Sequence, residues 1–252
     1  MIELLLLGAG LAAGALNTLA GGGSFVLFPA LLATGIPPVI ANATNTFASM
    51  PGYISGAAGF RKELLAHRRR LLPYSVIALG FGYLGAELLL RVSNEAFGLA
   101  VPWLMLFAVL LFAFGARINA LVQRLGHGEG RWFAGLLWVL LAAIALYGGF
   151  FNAGLGVLLL AFLALAGMTD IHAMNGLKLW VSSLVSVVGV ARFALSGAVD
   201  WYFGAFALVG VVTGAYLAAR LAHLVPTRVL RTGVLVYSIG LTLWFFRAAY
   251  AG

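Results

Sequence analysis

The chain carries NTLAGGGSFVLFPALL at residues 17–32, and GFFNAGLGVLLLAFLAL at residues 149–165 repeats its pattern. Each stretch has an asparagine, then glycines, then an apolar run that is short of the roughly 20 residues a bilayer span needs. A further glycine and a polar stretch follow in both places, GIPPVIANATN at residues 35–45 and GMTDIHAMNGLK at residues 167–178. Matching breaks in two halves of a membrane protein are typical of secondary transporters and point to the substrate site.

The composition is that of a protein embedded in a membrane. Hydrophobic residues make up 63% of the chain and charged residues 9%, and apolar runs recur along its whole length. This predicts an all-α polytopic membrane protein. With no cysteine and four scattered histidines, no metal site or cofactor is predicted. The net charge of +8 comes from basic residues that lie in short connections between apolar segments, so they indicate membrane topology rather than nucleic-acid binding.

We predict two inverted repeats of five segments each. In both repeats the second segment, 24–36 or 153–168, is expected to be a short or broken helix. The predicted domains are a first transmembrane repeat over residues 1–116, a cytoplasmic linker over 117–130 and a second repeat over 131–252. The predicted segments are 2–20, 24–36, 38–60, 72–91, 96–116, 131–150, 153–168, 171–195, 200–222 and 226–250.

The basic residues predict the orientation of the chain. They cluster in the connections 61–71, 117–131 and 220–231, which the positive-inside rule places in the cytoplasm, beside anionic lipid headgroups. Both termini are then expected outside a bacterial inner membrane. The basic 61–71 connection corresponds to the neutral 193–200 connection of the second half. Because the charge bias flips between equivalent connections, the two halves are predicted to have opposite orientations.

Taken together, these motifs resemble the TauE/SafE family of sulfite and organosulfonate exporters and related anion permeases. The resemblance covers essentially the whole chain. It implies a plasma-membrane transporter of small anions, namely sulfite, an organosulfonate or a small carboxylate, with export as the expected direction. It does not imply an enzyme. The stretches that carry it are 17–24, 29–32, 41–45, 147–156 and 175–178.

The glycine-rich breaks are candidate anion sites. A helix that starts inside the membrane leaves its first N–H groups unpaired and carries partial positive charge there, and glycines let a ligand approach closely. Gly22, Gly23 and Ser24 lie at the start of the first short segment, and Gly154 and Gly156 lie at the start of the second. The competing interpretation is that these glycines only allow close helix packing.

Polar side chains near the breaks complete the predicted site. Lys178 is a charge inside a membrane segment, which is a functional hypothesis by default. The asparagines have two open roles, because they can bind substrate or cap the broken helices. We expect the anion between the first glycine-rich break and Lys178. The predicted substrate-binding residues are Asn17, Gly22, Gly23, Ser24, Asn42, Asn45, Asn152, Gly154, Gly156, Asn175 and Lys178.

The leading hypothesis is a secondary transporter that works by alternating access around the paired breaks. The alternative is an anion-selective channel, because re-entrant segments also build selectivity filters. A membrane enzyme is disfavoured, since Asp170, His172 and Lys178 are too sparse for a catalytic set. The sequence is compatible with H⁺ or Na⁺ as a coupling ion and with a homodimer, and it decides neither.

Overall fold

The structure is a computed structural model that describes residues 1–19, 22–124, 131–221 and 227–250. The described residues form eleven helices and no strand. The helices are α1 (Ile2–Leu19), α2 (Ser24–Leu32), α3 (Pro38–Gly59), α4 (Arg61–Ala66), α5 (Arg68–Arg91), α6 (Asn94–Arg124), α7 (Arg131–Phe150), α8 (Leu155–Leu165), α9 (Ile171–Leu195), α10 (Trp201–Leu221) and α11 (Thr227–Tyr250).

The all-helical membrane fold predicted from the sequence is confirmed. Five of the described helices are long and apolar enough to cross a bilayer. Their spans are Arg68–Arg91, Asn94–Gly115, Trp132–Phe150, Ile171–Leu195 and Trp201–Ala218. Helices satisfy their own backbone hydrogen bonds in lipid, which is why such apolar runs fold this way.

Two predicted connections are helical. Residues 61–71 form α4 and the start of α5, and α6 continues to Arg124, so the predicted linker 117–130 begins inside a helix. Arg, Lys, Glu and Leu are good helix formers, and hydropathy detects only where a helix leaves the membrane, not where it ends. The end of that linker, residues 125–130, lies outside the described residues.

The two short helices are shorter than predicted. α2 ends at Leu32 and α8 covers Leu155–Leu165, where segments 24–36 and 153–168 were expected. Gly35 and Gly167 follow their C-terminal ends at φ 88° and φ 85°. This left-handed conformation ends a helix and is accessible to glycine without strain.

Two helix pairs, α1 with α10 and α5 with α7, make very close backbone contact. A Cβ on Gly14 would overlap the carbonyl oxygen of Val211, and a Cβ on Gly149 would overlap that of Gly82. Gly14 and Gly149 occupy matching positions in the two halves of the sequence. The reciprocal contacts match in the same way, Gly214 with Leu11 and Gly85 with Leu146. Small residues permit this approach, which is a common basis of helix association in membranes.

The contact register shows how the helices run. α1 is parallel to α10, because Gly10 lies beside Ala207 and Gly14 beside Val211. α5 is likewise parallel to α7, in which Trp138 lies beside Tyr74 and Gly149 beside Gly82, and to α9. α10 begins at the face where α9 ends, so it crosses in the opposite direction. α1 and α7, the first helices of the two halves, therefore point in opposite directions. An inverted repeat requires these opposite directions. The inverted repeat itself stays a prediction.

Candidate functional site

The first break lies between α1 and α2. Gly22 adopts φ 94°, and the backbone N–H of Gly23 donates to Oδ1 of Asn17 at 2.8 Å. Asn17 thus takes up one of the N–H groups that the start of α2 would leave unpaired. Residues 20 and 21 lie outside the described part of the chain, so the described part of this glycine-rich break is Gly22, Gly23 and Ser24.

The second break lies between Phe150, the last residue of α7, and Leu155. Gly154 adopts φ 85° here, a conformation that disfavours any side chain. Asn152 accepts a hydrogen bond from the Tyr53 hydroxyl at 3.2 Å and donates to Ser186 Oγ at 3.3 Å. Asn152 therefore ties the break to both α3 and α9, whereas Asn17 caps its own break.

Replacing Asn17 with alanine is expected to lower the free energy of unfolding by about 1 kcal/mol, because the Gly23 N–H loses its acceptor. Asn17→Asp keeps an acceptor oxygen and is the matched control. Thermal unfolding of the purified variants in detergent measures the effect. Equal melting temperatures for Asn17→Ala and the unmodified protein would rule out the capping role.

Polar side chains line one face of α3 and one face of α9 with the same spacing. On α3 they are Asn42, Asn45, Ser49 and Tyr53, and on α9 they are Asn175, Lys178, Ser182 and Ser186. Steps of three, four and four residues keep a side chain on one helix face. The serines and Tyr53 were not among the predicted site residues, although the spacing that the two helices share indicates them.

The α3 amides bind the two breaks directly. Asn42 donates from Nδ2 to the carbonyl oxygen of Phe150 at 2.9 Å. Asn45 donates from Nδ2 to Oγ of Ser24 at 3.2 Å. Both asparagines are 1% exposed. One helix of the first half therefore holds the end of α7 and the start of α2.

Lys178 lies beside the start of α8. Its Nζ donates to Oδ1 of Asn175 at 2.9 Å. A Cβ added to Gly156 would lie 3.5 Å from Cδ of Lys178, so the lysine side chain runs along the first turn of α8. The structure thus brings Gly156, Asn175 and Lys178 together, at the helix end that carries partial positive charge.

The two groups of predicted residues lie at different depths. α3 and α9 are antiparallel, since Gly56 faces Leu179 and Gly176 faces Phe60. Lys178 is therefore level with the C-terminal part of α3, and Asn45 lies about 12 residues or roughly 18 Å further along that helix. The first break and Lys178 therefore belong to two polar clusters with Asn152 between them, and the expected anion position stays a prediction.

The sequence comparisons agree with this architecture. The family model described as "Sulfite exporter TauE/SafE" matches residues 6–245. The chain belongs to the TauE/SafE family. A "Probable membrane transporter protein" of Haemophilus influenzae is 29% identical over 240 residues, covering 92% of this chain and 90% of its own. The "Probable membrane transporter protein YfcA" of Escherichia coli K12 is 30% identical over 247 residues, covering 94% and 88%. No solved structure matches the chain.

Membership of the TauE/SafE family supports a function in membrane transport. Both relatives are described as probable membrane transporter proteins, and the described part of this chain has five helices that can cross a bilayer, so it is a multi-pass membrane protein of a transporter family. Among residues 1–19, 22–124, 131–221 and 227–250, no group of three or more His, Cys, Asp or Glu side chains is placed to hold a metal ion.

In this TauE/SafE protein Lys178 and Arg192, which both lie on α9, differ in whether a carboxylate is paired with them. Near the far end of that helix, Arg192 pairs with Glu87 at 2.7 Å, and Glu87 also pairs with Arg91 at 2.9 Å. None of the salt bridges within the described part of the chain involves Lys178. Its ammonium instead contacts the neutral Asn175. A cation that a carboxylate does not neutralise suits an anionic ligand.

Proposed function

We propose that this protein is a secondary transporter that exports a small anion, such as sulfite, an organosulfonate or a small carboxylate, by alternating access. The observation that carries the proposal is the contact of Lys178 with the first turn of α8. It joins a full positive charge to a helix N-terminus inside the membrane. Both features favour an anion, and low dielectric makes their combined attraction stronger than it is in water.

The donors around Lys178 suit an oxyanion. Asn175 accepts from the ammonium through Oδ1, and this leaves the Nδ2 group on the other side of the amide for a ligand. At the start of α8 the N–H groups of Leu155 and Val157 already donate to the carbonyl oxygens of Asn152 and Gly154. Gly156 carries no side chain that would shield its own N–H. An ammonium, an amide and this backbone N–H can together bind the several oxygens of a sulfite, sulfonate or carboxylate group.

The position of Lys178 supports export. Gly176, two residues before it, contacts Phe60, which precedes the basic stretch 61–70, and Leu64, which lies within that stretch. The positive-inside rule places that stretch in the cytoplasm, so both termini lie outside the bacterial inner membrane. The lysine is then nearer the cytoplasmic face, behind a basic entrance that attracts anions.

Unequal packing of the two short helices supports alternating access. α8 packs against α6, where a Cβ on Gly154 would lie 3.2 Å from the Ala108 side chain. The corresponding helices of the other half, α2 and α11, pack less closely against each other, and residues of both line a cavity of about 1000 Å³. Ala30, Leu241 and Trp244 are among its lining residues. In each of its two states, an alternating-access transporter has one of two equivalent contacts closed and the other open.

Transport by purified protein in liposomes tests the proposal. We expect radiolabelled sulfite, a sulfonate or a small carboxylate to accumulate above its equilibrium distribution when an ion gradient is imposed. A passive channel would only equalise the concentrations, so accumulation separates the two hypotheses. Failure of all three classes to move faster than in protein-free liposomes would refute anion transport.

A further inference from the structure

The cavity that α1, α2, α6 and α11 line extends along these helices for about the thickness of one lipid leaflet. On α11 its lining runs from Tyr237 to Ala249, a rise of roughly 18 Å. The hydrocarbon of one leaflet is about 15 Å thick, which is half of the bilayer core. The cavity therefore has the depth that a lipid acyl chain occupies in a membrane.

The wall of this cavity suits a hydrocarbon chain. Apart from Asn94 and Glu95, its lining residues are apolar or aromatic, and the cavity is open to the surface, which in a membrane is lipid. An unfilled apolar space forfeits dispersion contacts, and an acyl chain can supply them as well as a leucine can. Small residues on three helices leave room for such a chain, and they include Ala9, Ala12, Ala30, Ala33 and Gly98.

Two opposite charges lie at the end of the cavity where α6 begins and α11 ends. Glu95 is in the first turn of α6, and Arg247 is in the last turn of α11. The Tyr250 hydroxyl donates to the carbonyl oxygen of Leu99 at 2.8 Å and accepts from Trp103 Nε1 at 3.1 Å, so the two helix ends meet. Tyrosine and tryptophan collect at the membrane–water interface, which places this end of the cavity at the level of the lipid headgroups. Both charged residues are exposed, and no salt bridge within the described residues involves either of them.

We propose that a phospholipid with an ammonium headgroup, of the phosphatidylethanolamine type, binds here with an acyl chain in the cavity. Its ammonium pairs with Glu95 and its phosphate with Arg247, so the headgroup matches both charges. Phosphatidylglycerol offers the phosphate but no cation for Glu95, and it therefore binds more weakly. The bound chain takes up space between α2 and α11 and favours the state in which these helices are apart. That last role rests on the transport function proposed above, whereas the binding itself does not.

Thermal unfolding of the purified, delipidated protein in detergent tests the site. Phosphatidylethanolamine and phosphatidylglycerol with identical acyl chains would be titrated separately. We expect phosphatidylethanolamine to raise the melting temperature saturably, with a half-saturating concentration about fivefold lower than that of phosphatidylglycerol, as one exposed ion pair allows. Equal half-saturating concentrations, or no stabilisation by either lipid, would overturn the proposal.

Filling the cavity tests the position of the acyl chain. Ala12 lines the cavity and is exposed, so the larger side chain of Ala12→Phe has room there. This variant should raise the half-saturating concentration of both lipids about tenfold. Ala205→Phe is the matched control, because Ala205 is exposed on α10 and is not among the residues that line the cavity. It should leave both concentrations unchanged, and an unchanged response of Ala12→Phe would exclude the chain from the cavity.

Glu95→Gln keeps the test decisive if Ala12→Phe does not fold. It should remove the preference for phosphatidylethanolamine and leave the response to phosphatidylglycerol unchanged. A purely structural role of Glu95 at the start of α6 would instead lower the melting temperature equally with either lipid. A preference that persists in Glu95→Gln would reject the headgroup site. No transported anion is present in these assays, so failure here leaves anion transport untouched, and failure of transport leaves the lipid measurement intact.

Discussion

Lys178→Met is expected to abolish anion transport while the protein stays folded. Methionine has nearly the length of lysine and packs well in apolar surroundings, so the contact with Gly156 is preserved without the charge. The variant loses one charge-assisted hydrogen bond to the substrate, which is worth about 3 kcal/mol at the upper end of the usual range. This corresponds to roughly a 100-fold loss of affinity.

Uptake into liposomes at a substrate concentration below saturation measures this loss. Lys62→Met is the matched control, because Lys62 is the other lysine of the chain and is exposed on α4. It removes one of the five basic residues of the stretch 61–70 and should transport at close to the unmodified rate. Size-exclusion chromatography in detergent shows whether each variant is folded. A folded Lys178→Met protein with unimpaired uptake would remove Lys178 from the site.

Gly14→Ala is expected to prevent stable folding. A Cβ at this position overlaps the backbone carbonyl oxygen of Val211, and backbone cannot rotate away as a flexible side chain can. Separating α1 from α10 forfeits the close packing that holds the two halves together, at a cost of about 3 kcal/mol or more. Gly214→Ala should have the same effect, because its Cβ would overlap the carbonyl oxygen of Leu11.

Gly8→Ala is the control for this prediction. Gly8 lies on the same helix, and a Cβ there meets nothing within 4 Å. The yield of monodisperse protein and its melting temperature measure the effect. Gly8→Ala should match the unmodified protein on both, whereas Gly14→Ala should lose most of its yield. Similar yields and melting temperatures for the two variants would show that the close approach of α1 and α10 is not required.

The apolar runs predicted the helices that cross the membrane, but not where helices continue outside it. The basic stretch 61–71 and the start of the predicted linker 117–130 contain good helix formers and are helical. The start of α2 at Ser24 was predicted correctly, because three glycines precede it. α8 begins at Leu155 instead of residue 153, since Gly154 takes a left-handed conformation that a helix cannot contain.

The sequence indicated the polar residues near the breaks but not their partners. Asn42 binds the carbonyl oxygen of Phe150, which is 108 positions away, and no local pattern reveals such a contact. The separation of Lys178 from Asn45 likewise depends on the antiparallel register of α3 and α9. A single serine or tyrosine in a helix does not indicate a site. Ser49, Tyr53 and Ser186 are therefore recognised only from the spacing that α3 and α9 share.

Ligand-dependent thermal stabilisation of the purified protein and of Lys178→Met tests whether an anion binds at Lys178. Sulfite, an organosulfonate and a small carboxylate would each be titrated at constant ionic strength. A ligand that binds only the folded state raises the melting temperature. The proposed site predicts that at least one of these anions stabilises the unmodified protein, and that Lys178→Met abolishes this stabilisation. Equal stabilisation of both proteins, or of neither, would contradict an anion site at Lys178.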